Sequence, residues 1–280
     1  MLGQALMHTA KTHGHAVSGV ARHGSDHVLD LANGSGIATV IKQVAPTHVI
    51  NAAALTDLKA CENNPAAAHA VNARAVGLMA EVCGASNIKL VHISTDHFFT
   101  GDGDRRHDES APVQLVNEYA RSKYAGERFA LALRGALAVR TNVTGLRGWP
   151  GRPTFFEWAA SALQRRVPLS LFDDFFTSTI DAAALAVAVL HLAQSKAEGV
   201  LNVASREVAN KKRFVEALAS AMGITLDWAT TGKVAALPVR RAESLGLDVT
   251  RAEALLGYQL PDVAAVVAAL AAAWRRRHEV

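Results

Sequence analysis

The feature that most limits the fold is an alternation. Short apolar runs that read as buried strands are separated by longer stretches whose apolar residues recur at helical spacing. His48-Val49-Ile50, with Asn51-Ala52-Ala53-Ala54 as its exit loop, reads as one buried strand, and Ile88 to Ser94 as a second. Between them, Pro65 suits the first turn of a long helix reaching about Cys83. A polar loop, Thr100 to Pro112, gives way to a helix from about Asn117 to Leu133 and a short strand at Leu137 to Arg140. Strands and helices alternating in this way form right-handed βαβ units, whose parallel sheet is covered on both faces. The fold class is therefore α/β.

Upstream, Leu2, Ala5, Leu6 and Ala10 recur at helical spacing immediately after Met1, and the helix ends near His13-Gly14 before an extended segment, His15 to Ala21. A second helical stretch, about Gly36 to Val44, stops before Pro46. After Arg140 the rhythm changes to a Gly/Pro/Trp loop (Gly145 to Pro153), a helix to about Arg166, a short strand near Leu169 and a loop from Asp173 to Thr179. A helix at Asp181 to Gln194 and a strand at Gly199 to Val203 resume the alternation. The rest reads as mainly helical, ending with Ala264 to Arg277, where Arg275-Arg276-Arg277 face the negative end of the helix dipole.

Composition excludes several classes. With 50% hydrophobic and 19% charged residues the chain is not disordered. It has no charge-free apolar run of about 18 residues and no leader pattern, so neither a membrane span nor export is expected. A net charge of +4, evenly mixed in sign, does not point to nucleic acid. Cys61 and Cys83 are too few and too far apart for a disulfide framework and suit a reducing, cytoplasmic setting. The pairs His13/His15 and His23/His27 lack a third ligand and HExxH is absent, so no metal is expected.

The chemistry-bearing motif is Tyr119-Ala120-Arg121-Ser122-Lys123. It sets a phenol and an ammonium four residues apart, on one face of a helix. A lysine beside a tyrosine favours the phenolate, so the spacing predicts a lowered phenol pKa and a proton donor usable near neutral pH. Ser94-Thr95-Asp96 lies where a strand ends, the edge at which open α/β sheets bind ligands, and the Thr95 hydroxyl there can bond a carbonyl oxygen that the tyrosine protonates. Asn51-Ala52-Ala53-Ala54, at the end of the preceding strand, offers small side chains that let a cofactor approach the backbone.

These residues, with Cys61-Glu62-Asn63-Asn64-Pro65 leading to Val71-Asn72-Ala73, His92 to Asp96 with Phe99 and Gly101, and Asn117-Glu118-Tyr119 through Lys123 to Glu127, resemble the extended short-chain dehydrogenases/reductases. The likeness is strongest to their dTDP-4-dehydrorhamnose reductase group, in which a threonine 24 positions before the tyrosine also fits. It continues more weakly through Arg140-Thr141, Phe155, Asp174, Gly199 to Ala204, Arg240-Arg241 and Leu247-Asp248. The resemblance implies a Rossmann-type doubly wound parallel sheet from residues 1–140 and about 167–205. A smaller, mainly helical substrate-binding domain would come from about 141–166 and 206–280. It implies that Tyr119 protonates the C4 oxygen of a nucleotide-activated keto-sugar while NADPH delivers hydride, that Lys123 binds the nicotinamide ribose and lowers the tyrosine pKa, and that Thr95 orients the carbonyl. Gly3, Asn51, Ala52, Ala53, Ala54, Asn72, Ser94, Tyr119 and Lys123 would line the cofactor site. Arg22, where an acidic residue would favour a free ribose, points to the 2′-phosphate of NADP over NAD. The partners implied are a nucleotide sugar and a second copy in a homodimer.

The sequence departs from the group's pattern at several points. His97 replaces a tyrosine and Ala120 a glycine, Thr179 stands where proline is common, Arg240-Arg241 lacks a following proline, and Ser244-Leu245 replaces an asparagine-serine pair. These changes bear on substrate identity more than on chemistry. Met1-Leu2-Gly3-Gln4-Ala5-Leu6 matches only the tail of a GxxGxxG loop, with Gly3 as its third glycine. The resemblance therefore predicts a working protein about ten residues longer, with a strand and the earlier glycines before Met1. Two other readings remain compatible with these residues: an epimerase or dehydratase of the extended family, and a non-catalytic NADP-binding regulatory subunit.

Overall fold

The computed structural model describes residues 1–149 and 151–278. Pro150, within the Gly145 to Pro153 loop, and Glu279 and Val280, at the end of the 206–280 segment, lie outside the described residues. The chain begins with α1 (Leu2–Thr12), β1 (Val20–Ala21), β2 (His27–Val28), α2 (Ile37–Val44) and β3 (His48–Asn51). There follow α3 (Leu58–Asn63), α4 (Pro65–His69), a π-helical turn (Ala70–Arg74), α5 (Ala75–Ala85), β4 (Lys89–Ile93), β5 (Arg106–His107), α6 (Glu118–Leu131), β6 (Leu137–Arg140) and β7 (Asn142–Thr144). Next come α7 (Phe155–Gln164), β8 (Ser170–Phe172), β9 (Phe176–Thr177), β10 (Thr179–Asp181), α8 (Ala182–Gln194), β11 (Gly199–Asn202) and β12 (Ala209–Asn210). The last elements are α9 (Lys211–Ala221), β13 (Thr230–Gly232), a 3-10 turn (Val234–Ala236), β14 (Ser244–Leu247), α10 (Thr250–Leu256) and α11 (Val263–His278).

Four parallel strands in the order β11-β6-β4-β3 form the main sheet. Its central strands are apolar because both faces are covered: Leu90, Val91, Leu137 and Val139 are fully buried, each contributing about 1.5–3 kcal/mol. One face packs through Val91 and Val139 on Leu2 and Leu6 of α1, Leu185 and Val189 of α8, and Leu256 of α10. The other packs through Leu90 on Ile37 and Ile41 of α2 and Val76 and Met79 of α5. This is the doubly wound α/β arrangement that the alternation predicts. Of the extended segment His15 to Ala21, only Val20–Ala21 is strand, paired with β2 in a separate parallel sheet, and no backbone ladder among the described residues joins it to β3.

A second lobe has its own core. Phe156 of α7, Leu169 and Leu171 at β8, Phe214 and Leu218 of α9, and Val266, Leu270 and Trp274 of α11 pack together. Beside these helices run short strands in the orders β12-β9-β14-β5 and β13-β8; of these the sequence announced only β8, the short strand near Leu169. β5 lies inside the loop Thr100 to Pro112 and ties it to β14: His107 Nδ1 lies 2.9 Å from Gly246 O, and the Asp248 amide donates to His107 O at 2.9 Å. The helix that carries the tyrosine is also held to this region. Asn117 caps α6 by accepting from the Ala120 amide at 2.8 Å, while its Nδ2 donates to Arg240 O at 3.1 Å. Arg275, Arg276 and Arg277 are exposed in the last turn of α11, as expected of cations at a helix C-terminus. Among the described residues no helix is long and apolar enough to cross a membrane.

Candidate active site

Ser94-Thr95-Asp96 follows directly on β4, at the carboxyl edge of the main sheet. Ser94 extends the ladder by one bond, from its amide to Val139 O at 2.7 Å, and its hydroxyl donates to Glu127 Oε2 at 2.8 Å. Glu127, on α6, accepts two hydrogen bonds from Arg140 at the end of β6, Nη2 to Oε1 at 2.7 Å and Nε to Oε2 at 3.0 Å. Glu127 and Arg140 are both buried, so this two-point ionic contact is shielded from water and fixes α6 against the ends of β4 and β6.

Tyr119 and Lys123 sit one turn apart on the same buried face of α6. The close approach of this helix has a local cause. At Gly126 a Cβ would overlap the backbone oxygen of Asn72, so only glycine lets α6 lie against the π-helical turn. Lys123 Nζ donates to Ile93 O at 2.6 Å, at the strand end from which Thr95 emerges. The Thr95 hydroxyl donates to Asp96 Oδ1 at 3.4 Å and accepts the His97 amide at 3.3 Å. The His97 ring stands edge-on to the Tyr119 ring, with centroids 5.3 Å apart. The structure thus brings Thr95, Tyr119, Lys123 and Ser94 to one strand end.

The electrostatics correct one expectation. Tyr119 is not drawn down by Lys123: burial pushes its phenol above the ordinary value, with Asp96 and Cys61 adding to the rise and only the Thr95 hydroxyl opposing it. Burial lowers Lys123 to about 8, against the pull of Glu127, which favours the ammonium. Below that pH Lys123 is a buried cation able to stabilise the phenolate left when Tyr119 gives up its proton. Burial, and after it Lys123, holds His92 neutral. His97 falls to about 3 through burial and the positive charges of Arg241 and Lys211.

The expected cofactor residues divide into two sets. Asn51 is tied inward: its Oδ1 accepts the Ala53 amide at 3.1 Å and its Nδ2 lies 3.1 Å from His92 Nδ1. That turn leaves Ala52, Ala53 and Ala54 partly or fully exposed beyond the strand end. Asn72 is wholly buried and its amide is occupied by Leu55 N, Leu55 O and Ser122 Oγ at 2.7, 3.0 and 3.0 Å, so it clamps the loop after β3 to α6. Gly3 lies in the first turn of α1, where an added Cβ would meet nothing within 4 Å. Arg22 is exposed just past β1, apart from the others.

A cleft of about 420 Å³ opens at the same edge of the sheet. Its walls include Thr56, Asn142, Thr144, Arg147, Arg152 and Lys211. Thr95, Tyr119 and Lys123 do not line it; it reaches them through a polar line that the sequence reading missed. Asn142 Nδ2 donates to Asp96 Oδ2 at 2.7 Å, Thr179 Oγ1 donates to Asn142 Oδ1 at 2.9 Å, and Lys211 Nζ lies 3.5 Å from Thr179 Oγ1. Thr179 had stood out as a departure from the group's pattern, and its side chain explains what the hydroxyl does there. Lys211 gave no signal, because Lys211-Lys212 reads as a solvated surface pair, yet its ammonium lies over the rings of Phe155, Phe175 and Phe214. Glu127 was within reach of sequence reasoning, since it continues the Tyr119/Lys123 face by one more turn.

The sheet and its tyrosine–lysine strand end define an NAD(P)-binding oxidoreductase of the short-chain dehydrogenase/reductase type. The profile of the RmlD substrate binding domain matches residues 1–275. The chain belongs to this family, the dTDP-4-dehydrorhamnose reductase-like sugar-nucleotide reductases. It is 31% identical over 292 residues to the probable low-salt glycan biosynthesis reductase Agl14 of Haloferax volcanii, covering 98% of this chain and 95% of the relative. Among solved structures, the dTDP-4-dehydrorhamnose reductase of Bacillus anthracis in complex with NADP superposes with a TM-score of 0.85 at 23% identity, covering 96% of this chain and 94% of that one. The UDP-glucose 4-epimerase of Thermus thermophilus in complex with NAD gives 0.81 at 20% identity, covering 98% and 96%. At these identities the two structures share the fold.

Proposed function

We propose that the protein reduces the 4-keto group of a nucleotide-activated sugar with NADPH, with Tyr119 as proton donor. The observation that carries this reading is the placement of Tyr119 and Lys123 one helical turn apart on the buried face of α6, with the Lys123 ammonium bonded to Ile93 O at the carboxyl end of β4, from which Thr95 emerges. The residues present suit such a cofactor and substrate: Ala52 to Ala54 leave the backbone after β3 approachable, and Arg147, Arg152 and Lys211 give the cleft a positive lining suited to diphosphate groups. When bound, NADPH supplies the hydride that goes to the carbonyl carbon. Thr95 and Tyr119 hold the carbonyl oxygen between their hydroxyls, and the Tyr119 proton goes to that oxygen as the carbon is reduced, leaving a secondary alcohol and a phenolate. Lys123 stabilises the phenolate, and the elevated phenol keeps its proton until the oxygen becomes basic enough to take it. Arg22 supports NADPH over NADH by offering a cation where the 2′-phosphate would lie.

Absorbance of NADPH during incubation with dTDP-4-dehydrorhamnose tests the reading. Oxidation by the native protein and a loss of about 10²–10⁴-fold in Tyr119→Phe are expected. An undiminished Tyr119→Phe rate overturns the assignment of the tyrosine, and binding of NADPH without turnover of any keto-sugar favours a regulatory subunit.

A further inference from the structure

Of the cations that line the cleft, Arg147 and Arg152 belong to one loop, where Arg147 Nη1 donates to Arg152 O at 3.0 Å. Lys211 comes from the second lobe, as the first residue of α9, and little about its place favours an ammonium. It stands at the positive end of the helix dipole. Its charge lies 4.4, 5.6 and 6.0 Å from the ring centroids of Phe155, Phe175 and Phe214, faces that attract a cation but replace few of its hydrogen bonds to water. Burial lowers it to about 8, and although the charge of Asp96 opposes that shift, no ion pair among the described residues joins the two. Lys89, Lys123 and Lys233 each have an oxygen at 2.6 Å, whereas the hydrogen bond of the Lys211 ammonium is the 3.5 Å contact to Thr179 Oγ1. An ammonium carries three N–H donors, so Lys211 brings to the cleft wall donors that no described residue uses.

The position of those donors says what they meet. Thr179 Oγ1 donates to Asn142 Oδ1, and Asn142 Nδ2 donates to Asp96, the residue after Thr95. Lys211 therefore opens on the cleft from the side of Thr95, away from the arginine loop. Phe155 lines the cleft beside it, so an aromatic face and an ammonium are presented together. A sugar ring matches that pair, with C–H bonds on its face and hydroxyls at its edge. Resting on the reading of the site as one for a nucleotide sugar, we propose that Lys211 is a specificity-determining residue that donates to a hydroxyl of the sugar ring while Phe155 packs against the ring's C–H face. The diphosphate is left to Arg147 and Arg152. The site then selects sugars that keep this hydroxyl, because a deoxy carbon in its place would leave a half-buried ammonium without an acceptor. The same arrangement accounts for the placement of Lys211: an ammonium that the fold itself gains little from is retained for what it binds.

Titration calorimetry of the NADPH-loaded protein with dTDP and with dTDP-glucose, which has its ring hydroxyls but no keto group, tests the assignment without turnover. Lys211→Met is expected to weaken dTDP-glucose by about 10–100-fold and dTDP by no more than about twofold. Its Tm should equal or exceed the native value, since an ammonium leaves the start of α9. Lys211→Gln, which keeps a donor without the charge, should recover part of the lost affinity. Among dTDP-deoxyglucoses that each lack one hydroxyl, one should bind the native protein as weakly as Lys211→Met binds dTDP-glucose, and the substitution should not weaken that one further. Equal weakening of dTDP and dTDP-glucose would put Lys211 on the diphosphate and overturn the proposal. Unchanged affinities, a lowered Tm with general loss of binding, or sensitivity of every deoxy sugar to Lys211→Met would overturn it as well. Unchanged dTDP-glucose binding in a variant whose native parent oxidises NADPH with dTDP-4-dehydrorhamnose defeats this inference alone. Sugar affinity that depends on Lys211, in a protein that oxidises NADPH with no keto-sugar, defeats instead the activity reading and leaves the sugar contact standing.

Discussion

The two sheets of the nucleotide-binding half differ in how they are built. In the main sheet β4 and β6 are flanked by strands on both edges and by helices on both faces, and their side chains are almost wholly buried. The β1–β2 pair has two residues per strand, and Val20 and Val28 are 45% and 69% exposed. The proton chemistry proposed above sits on the first, while the residue read as choosing the phosphate of the cofactor, Arg22, sits beside the second. Chemistry that depends on charges held at fixed positions away from water belongs on the buried platform, whereas selectivity for a phosphate needs only an exposed cation.

The contrast can be broken most directly at the ionic contact between Glu127 and Arg140. Glu127→Ala leaves Arg140 buried and unpaired and also removes the acceptor of the Ser94 hydroxyl, so a loss of about 3–5 kcal/mol in urea unfolding is expected. A loss below about 1 kcal/mol would mean that the strand ends are held elsewhere. Next in size is Gly126→Ala, which forces α6 away from the Asn72 carbonyl at an expected cost of about 1–3 kcal/mol. Because Tyr119 and Lys123 move with that helix, kcat should fall in the same variant. An unchanged kcat would show that the site tolerates displacement of α6.

The same contrast explains what could be read from the sequence. The main sheet was legible because burial on both faces demands apolar runs, and Ile88 to Ser94 and Leu137 to Arg140 have no other reading of comparable strength. Tyr119 and Lys123 were legible because helical spacing alone puts them on one face. The strands β5, β9, β12 and β14 were not, because they are two to four residues long and are specified by pairings across the chain, such as His107 with Gly246. Lys211 was hidden for a similar reason: its burial depends on Phe155, Phe175 and Phe214, which come together only in the folded second lobe. The direction of the Tyr119 shift was misread because proximity to lysine was visible in the spacing while desolvation was not.

A third effect is a slope in stability with pH. Asp96 has a folded-state pKa of about 7, above its unfolded value near 4, so between these pH values the folded protein binds more protons than the unfolded one. Its contribution is therefore fully present below pH about 4 and is lost as pH rises through about 7. Thermal unfolding of Asp96→Asn across that window should lack this downward component, and a slope identical to that of the native protein would place the titration on another group.

The smallest expected effect lies on the other sheet. Arg22 is exposed past β1, and Arg22→Ala should change unfolding free energy by no more than about 0.5 kcal/mol. Its effect should fall on cofactor choice alone: the ratio of kcat/KM for NADPH to that for NADH should drop, through KM for NADPH, while kcat with saturating NADPH stays unchanged. A variant that kept the native preference would detach phosphate recognition from β1. A variant that lost kcat with both cofactors would couple this exposed pair of strands to the buried platform more tightly than its packing indicates. Either outcome would redraw the division between the two sheets, because selectivity that depends only on an exposed cation has to be separable from the proton chemistry at Tyr119.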